Sequence, residues 1–145
     1  MKEILVAIDF SEVTDSLLDQ ACRLAEAFGA ALRIVHVAAP DPDFVGFEAG
    51  PQSVRSQRAE GLRKEHHSLQ YMGERLKRRG VEAKALLLQG PTVETILKHA
   101  GEERVDLIIA GSHGRGKLYK ALVGSVSEGI LRNPPCPVLL VPAAR

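Results

Sequence analysis

Short apolar runs alternate with longer amphipathic segments along the chain. Residues 4–8, 32–37 and 106–110 are rich in aliphatic, largely β-branched side chains and predict buried strands of a parallel sheet. Residues 81–88 begin with alternating polar and apolar positions, as an edge strand does, and 138–141 predict a last strand between two prolines. The pattern therefore predicts five strands.

Four segments between these runs have helical periodicity. The longest, residues 53–79, carries leucine at every seventh position from 62 to 76 and stops before Gly80. Shorter helices are predicted over 91–100 and from about 125 to 131. Strands that alternate with helices imply a parallel sheet with helices on both faces and right-handed crossovers. The first helix is expected to end at Gly29, in the left-handed conformation. Its predicted apolar face consists of Leu17, Leu18, Ala21, Leu24, Ala25 and Phe28.

Composition and charge narrow the class of protein. The chain has 145 residues and balances 19 Lys+Arg against 18 Asp+Glu, which suits one domain over residues 1–145 and argues against a nucleic-acid or anionic-membrane binder. No apolar stretch near Met1 is long enough for a signal peptide or a membrane span, so we expect a cytoplasmic protein. Cys22 and Cys136 are then expected as reduced thiols.

Residues 38–52 form the one irregular segment, with three prolines at positions 40, 42 and 51. Two interpretations remain open. A surface loop is favoured over a flap that covers a ligand with Phe44 and Phe47.

A glycine-rich segment after the fourth predicted strand carries the candidate chemistry. Gly111, Gly116 and Lys117 have the spacing of a Walker-A loop, but Leu118 stands where the Mg²⁺-binding hydroxyl is needed. The dinucleotide-binding fingerprint also fails, because Tyr119 replaces its third glycine. Neither phosphate motif fits.

A different pattern does fit, Gly-x2-Gly-x9-Gly-Ser, filled by Gly111, Gly114, Gly124 and Ser125. This spacing resembles the nucleotide-binding signature of the universal stress protein family, in its ATP-binding branch. The resemblance spans the chain, because further fragments match in the family's order. These fragments are residues 4–11, 35–37, 90–96, 106–111 and 136–138.

The resemblance implies a five-stranded parallel sheet of order 3-2-1-4-5, Rossmann-like and of the adenine nucleotide alpha hydrolase type, that binds ATP, which Mg²⁺ can accompany. Ligands of such sheets bind at the carboxyl ends of the strands where the strand order reverses. Asp9 is then implied as the ribose ligand, with Ala7, Ile8 and Val37 lining the adenine pocket, Val37 through its backbone. A plain cap or turn role for Asp9 is the alternative, although Ser11 is also able to cap the first helix.

The glycine loop suits phosphates, because glycine lets backbone N–H groups approach an anion. A helix that begins at Ser125 adds its N-terminal amides, and Arg115, Lys117 and Lys120 add positive charge. A capping box of Ser125 with Glu128 is the structural alternative. The complete set of expected nucleotide-binding residues is Ala7, Ile8, Asp9, Val37, Gly111, Ser112, His113, Gly114, Arg115, Gly124, Ser125, Val126 and Ser127.

Binding with slow turnover at most is expected, because hydrolysis needs a placed base and none is evident. A weak ATPase, or another ATP-using enzyme on this fold, is the alternative. His36 and His99 stand isolated, and no Cys/His cluster has zinc spacing.

The family forms homodimers through its last strand, and Val138–Val141 suits that role because an apolar edge needs a cover. Protection by Pro137 and Pro142 alone is the alternative. The sequence thus predicts a nucleotide-dependent stress-response or signalling module.

Overall fold

The structure is a computed structural model that describes residues 1–38, 52–112 and 123–143, with residues 52–54 described by their backbone alone. The strands are β1 (Glu3–Ala7), β2 (Ala31–Ala38), β3 (Ala83–Gln89), β4 (Leu107–Gly111) and β5 (Val138–Val141). The helices are α1 (Thr14–Phe28), α2 (Gln52–Arg78), α3 (Thr92–Glu102) and α4 (Ser125–Arg132). The predicted alternation of strands and helices is confirmed.

All five strands are parallel, in the order β3-β2-β1-β4-β5. This confirms the order that the resemblance implied. The chain builds outward from β1 to β3, then returns across β1 to place β4 and β5 on its other side. β1 is therefore the centre of the sheet, and the direction of winding reverses between β1 and β4.

Side chains alternate between two apolar layers, because successive residues of a strand point to opposite faces. Ile4, Val6 and Ile34 lie on the face that α1 and α2 cover, together with Leu17 and Leu69. On the face that α3 and α4 cover, the core is formed by Leu5, Val35, Ile96, Ile108 and Ile130. The strands are thus buried on both faces, which explains their continuous apolar runs.

The apolar face of α1 was predicted correctly except at its end. Leu17, Ala21 and Ala25 are buried, whereas Phe28 is 55% exposed. Phe28 is the last residue of the helix, and Gly29, with φ 63°, turns the chain away towards β2 at that point. Gly80, with φ 84°, follows α2 in the same conformation, so both predicted glycine stops are confirmed.

The amino ends of β1 and β4 are held together by one carboxylate. Oδ2 of Asp106 accepts the N–H of Lys2 at 2.6 Å and of Glu3 at 3.0 Å. These two backbone hydrogen bonds hold the pKa of Asp106 below its ordinary value. Arg33 adds ion pairs to Glu3 at 2.9 Å and to Glu103 at 2.8 Å. We call this end of the sheet the amino edge.

Both cysteines are free thiols. Burial raises the pKa of Cys22 and of Cys136, which favours the protonated, unreactive form. In the described part of the chain, no helix combines the length and the apolar character that crossing a membrane requires.

Candidate functional site

The central strands β1 and β4 separate at their carboxyl ends. Their pairing stops at Val6 and Ile109, whereas β4 stays paired with β5 as far as Gly111 and beyond, through a 2.9 Å hydrogen bond from Ser112 N–H to the Val141 carbonyl. β1 meanwhile continues along β2. A gap therefore opens between β1 and β4 where the winding of the sheet reverses, the usual ligand position in such sheets. We call this gap the switch-point crevice.

Asp9 lies at the β1 side of the crevice. Its Oδ1 accepts the N–H of Ser11 at 2.9 Å, which is the hydrogen bond of an Asx turn. The N-cap of α1 is Val13, and no side chain caps that helix, so the turn role of Asp9 is real and a cap role for Asp9 or Ser11 is not. Among the described residues, no donor reaches the other carboxylate oxygen of Asp9. That oxygen retains its capacity to accept hydrogen bonds.

The residue after Asp9 has an unusual backbone. Phe10 adopts φ 57°, in the left-handed region, which costs a non-glycine residue about 1–2 kcal/mol. Its ring lies against the imidazole of His36, with ring centroids 4.5 Å apart. Packing on His36 compensates part of that cost, and the turn that carries Asp9 therefore depends on a side chain of β2.

His36 makes polar contacts with both of its ring nitrogens. Its Nδ1 lies 2.9 Å from the carbonyl oxygen of Ile8, and its Nε2 lies 3.6 Å from Oε1 of Glu65 on α2. A carbonyl oxygen only accepts hydrogen bonds, so Nδ1 carries a proton and donates. His36 is isolated as a candidate metal ligand in the sequence, which left these two contacts unpredicted. Its position near the end of β2, beside the end of β1, was the signal available in the sequence.

The backbone of Val37 also faces the crevice side of the sheet. Alternate residues of β2 bond to β1, as shown by Ala31 N–H to Lys2 O at 2.8 Å and Ile8 N–H to Val35 O at 2.9 Å. The next bond of a parallel ladder would run from Val37 N–H to Ile8 O. In the described part of the chain that bond is absent, and Ile8 O accepts from His36.

The first turn of α4 forms the other side of the crevice. Its N-cap is Gly124, whose N–H donates to the Ser112 carbonyl at 2.6 Å. The hydroxyl of Ser127 donates to the carbonyl of Gly111. These two bonds fix the start of the helix to the end of β4. The first N–H groups of an α-helix have no partner within the helix and carry the positive end of its dipole.

The capping box predicted as an alternative at this helix is not formed. Gly124, not Ser125, is the N-cap, and no side chain bonds to the cap. Glu128 instead pairs with Arg132 at 3.0 Å, one turn further along. Ser125 and Val126 are exposed, and no side chain of the described residues caps the helix through their N–H groups.

The predicted adenine-pocket residues divide between the two faces of the sheet. Val37 and the half-buried Ala7 belong to the face of α3 and α4, whereas the side chain of Ile8 is buried beneath α1 and α2. Ile8 therefore faces away from the other two, and its backbone bonds to β2. β4 ends at Gly111, as predicted, and Ser112 follows it.

Some sequence-based expectations fall outside the described residues. They concern the loop residues His113, Gly114 and Arg115, the cations Lys117 and Lys120, and the segment with Phe44 and Phe47. Within the ranges that are described, no three His, Cys, Asp or Glu side chains are grouped so that they would hold a metal ion.

This sheet, with its crevice and anchored α4, defines a Rossmann-like class of α/β protein. Comparison with known sequences makes the class specific: the model of the universal stress protein family matches residues 1–142. The chain belongs to the universal stress protein family. A universal stress protein of Thermus aquaticus is 39% identical over 144 residues, which cover 97% of this chain and 98% of the relative.

Solved structures agree with this membership. Protein MJ0577, a name carried by a universal stress protein of Methanocaldococcus jannaschii, has a TM-score of 0.78 at 28% identity, covering 99% of this chain and 97% of its own. A family member from Arabidopsis thaliana, solved with AMP bound, has a TM-score of 0.71 at 19% identity, covering 99% of this chain and 93% of its own. The Arabidopsis likeness is one of fold.

Proposed function

We propose that this protein binds ATP in the switch-point crevice and acts in the cytoplasm as a nucleotide-dependent stress-response or signalling module. The observation that carries the proposal is the separation of β1 and β4 beyond Val6 and Ile109. It leaves a gap with an acidic acceptor on one side and the positive end of a helix on the other. A nucleotide has complementary groups, hydroxyl donors on its ribose and negative charge on its phosphates.

The β1 side of the crevice suits the nucleoside. Asp9 uses one carboxylate oxygen for its own turn and has the other for the ribose hydroxyls. The backbone N–H of Val37 suits a ring nitrogen of adenine, because β1 makes no bond to it. The half-buried Ala7 side chain supplies an apolar surface for the base.

The β4 side suits the phosphates. The N–H groups of Ser125, Val126 and Ser127 form the first turn of α4, where backbone amides and the helix dipole favour an anion. The Ser127 hydroxyl is engaged with Gly111, so Ser127 contributes its N–H. His113, Gly114 and Arg115 complete the phosphate site as a prediction from the sequence pattern.

The comparisons support the choice of ligand class. The family is one in which a member of the same fold is solved with AMP, so a sheet of this order accommodates an adenine nucleotide. Asp9 is assigned to the ribose, and no other described residue is assigned as a base for hydrolysis. Slow turnover at most is therefore expected. Mg²⁺ that accompanies ATP is held chiefly by phosphate oxygens and water.

We also propose that β5 pairs with β5 of a second copy. The carbonyls of Pro137 and Val141 accept hydrogen bonds from β4, so the backbone groups of Val138 and Leu140 face outward, away from the sheet. Leu139 is 37% exposed. An uncovered apolar edge favours association, and a homodimer offers a route by which nucleotide occupancy reaches a partner.

The ligand is tested by purifying the protein gently and identifying co-purified nucleotide by mass spectrometry. Nucleotide-free protein is then titrated with ATP and ADP by calorimetry. Gly124→Val serves as the blocked variant, since φ −68° and ψ 160° at Gly124 suit valine. Its side chain is expected to hinder the approach of an anion to the α4 terminus. We expect saturable binding by the wild type and a loss in the variant. Absence of nucleotide together with flat titrations would overturn the proposal.

The dimer is tested by light scattering. Leu140→Pro removes an outward N–H donor and is expected to give monomers. Phe28→Ser, which changes an exposed apolar residue at the end of α1, should leave a dimer intact. A monomeric wild type, or a dimeric Leu140→Pro, would exclude β5 as the contact.

A further inference from the structure

His36 contacts the residues on both sides of Asp9. Its Nδ1 donates to the carbonyl of Ile8, and its ring lies 4.5 Å, between centroids, from that of Phe10. Among the described residues, the N–H of Ser11 is the one donor to the Asp9 carboxylate. The position of Asp9 therefore depends largely on the contacts that its neighbours, Ile8 and Phe10, make with His36.

The contact between Phe10 and His36 supports the backbone conformation of Phe10. Phe10 has φ 57°, a conformation that an aromatic residue rarely adopts without support. In this conformation the chain leaves the direction of β1 and enters the turn before α1. A ring partner at Phe10 thus favours the backbone path that brings Asp9 to the crevice.

The Ile8 contact lies where the β1–β2 ladder ends. Nδ1 of His36 bonds to the carbonyl that would also accept the Val37 N–H in a continued ladder. Among the described residues that ladder bond is absent, so β1 does not use the Val37 N–H.

The imidazole is itself held in place. The His36 side chain is 13% exposed, on the face of the sheet covered by α1 and α2, and Nε2 faces Glu65 of α2 at 3.6 Å. With Nδ1 fixed on Ile8 and Nε2 directed at α2, the ring has one orientation. It links the long helix α2 to the turn that carries Asp9.

We propose that His36 is a positioning residue of the nucleotide site, which holds the Asp9 turn through Ile8 and Phe10 and leaves the Val37 N–H for the base. This inference rests on the proposed function. It concerns how the site is built, and it assigns His36 no direct contact with the nucleotide. The bond from Nδ1 is the essential one.

Two substitutions separate the two nitrogens. The amide nitrogen of asparagine reaches about as far as Nδ1, and that of glutamine about as far as Nε2. His36→Asn therefore keeps a donor for Ile8, and His36→Gln loses it. We expect His36→Gln to bind ATP about tenfold more weakly than wild type, the effect of about one hydrogen bond, and His36→Asn to recover most of that loss.

A matched variant controls for stability. Val81→Ala removes a buried side chain from the same face of the sheet, at its amino end, and should lower stability without changing ATP affinity. Affinities are measured by calorimetry and free energies of unfolding by urea denaturation. Equal losses in His36→Asn and His36→Gln, or a Val81→Ala loss as large as that of His36→Gln, would overturn the proposal.

A spectroscopic measurement on the wild type does not depend on the variants folding. Long-range ¹H–¹⁵N spectra of the imidazole report whether Nδ1 carries a proton. A protonated Nδ1 is expected for His36, and an unprotonated Nδ1 would overturn the proposal. Wild-type protein that binds no adenine nucleotide would overturn the proposed function itself, whereas binding with unchanged affinity in His36→Gln would overturn this inference alone.

Discussion

Asp106 and Asp9 lie at opposite ends of the strand pair β1 and β4 and have different roles. At the amino edge, one oxygen of Asp106 accepts the backbone N–H groups of Lys2 and Glu3, at 2.6 and 3.0 Å, and so joins the start of β1 to the start of β4. At the other end, Asp9 bonds within its own turn, and the strands have already separated.

The difference shows which carboxylate remains able to accept hydrogen bonds from a ligand. A carboxylate that accepts backbone amides from a neighbouring strand holds the two strands together and contributes to the structure. One that bonds within its own turn, beside a crevice, retains acceptor sites for a ligand. The same residue type is therefore structural at one edge of the sheet and available for binding at the other.

The largest expected effect comes from removing the available carboxylate. Asp9→Ala should weaken ATP binding by about 1.5–3 kcal/mol, or roughly 10- to 150-fold, because a hydrogen bond to a charged group is lost. The change in unfolding free energy should be small, since the residue bonds within one turn. Calorimetric titration and thermal unfolding measure the two quantities.

Asp106→Ala is the opposite control. It should lower thermal stability and leave ATP affinity unchanged, because it touches the amino edge alone. If the two variants showed the same balance of affinity and stability losses, the division of roles between the edges would be wrong.

The next effect concerns the packing that positions α4. A Cβ at Gly129 would lie 2.7 Å from Cγ2 of Val93 on α3, so Gly129→Ala should destabilise the protein by about 1–3 kcal/mol and weaken ATP binding as the helix shifts. Chemical denaturation and calorimetry provide the measurements.

Two variants control for this change. Gly101→Ala, in α3, meets no atom within 4 Å and should be neutral or stabilising by up to about 1 kcal/mol. Adding Val93→Ala to Gly129→Ala should restore part of the affinity. A fully stable Gly129→Ala with unchanged affinity would mean that α4 is not held by this contact.

A smaller effect is expected at the hydroxyl that ties α4 to β4. Ser127→Ala removes the donor to the Gly111 carbonyl and should cost about 0.5–1.5 kcal/mol of stability. Ser125→Ala, at an exposed position in the same turn, should change stability less. Urea denaturation distinguishes them, and a larger loss in Ser125→Ala would reverse the assignment.

The smallest effect is a pH dependence at the amino edge. The pKa of Asp106 is lowered in the folded protein by the N–H groups of Lys2 and Glu3. Its contribution is therefore complete above the ordinary aspartate pKa of 3.8 and is lost as the pH falls through the lower folded value. Asp106→Asn should lose less stability than wild type between pH 5 and pH 2 in thermal melts. Parallel curves would contradict this role.

Most of the fold was predictable because it rests on local patterns. Apolar runs and helical periodicity located all nine elements, and Gly29 and Gly80 marked helix ends by their conformational freedom. The prediction for Phe28 was wrong because periodicity shows which side of a helix faces the core. It does not show how far along the helix the core extends. The strand order came from the family resemblance.

The positions of the residues of the candidate site in the fold were predictable, and their contacts were less so. Asp9 directly follows the first apolar run and so marks the end of β1. Gly124-Ser125 precedes the last helical segment and so marks the start of α4. The part played by His36 could not be read from spacing, because it depends on contacts with Ile8 and Phe10 from a neighbouring strand. The face on which Ile8 is buried likewise depends on the register of the sheet.

The most direct test of the central claim is a crystal structure of the protein with ATP. The account predicts adenine beside Val37, ribose hydroxyls on the Asp9 carboxylate, and phosphates at the first turn of α4. ATP bound elsewhere on the surface, or a switch-point crevice left empty at saturating nucleotide, would contradict it.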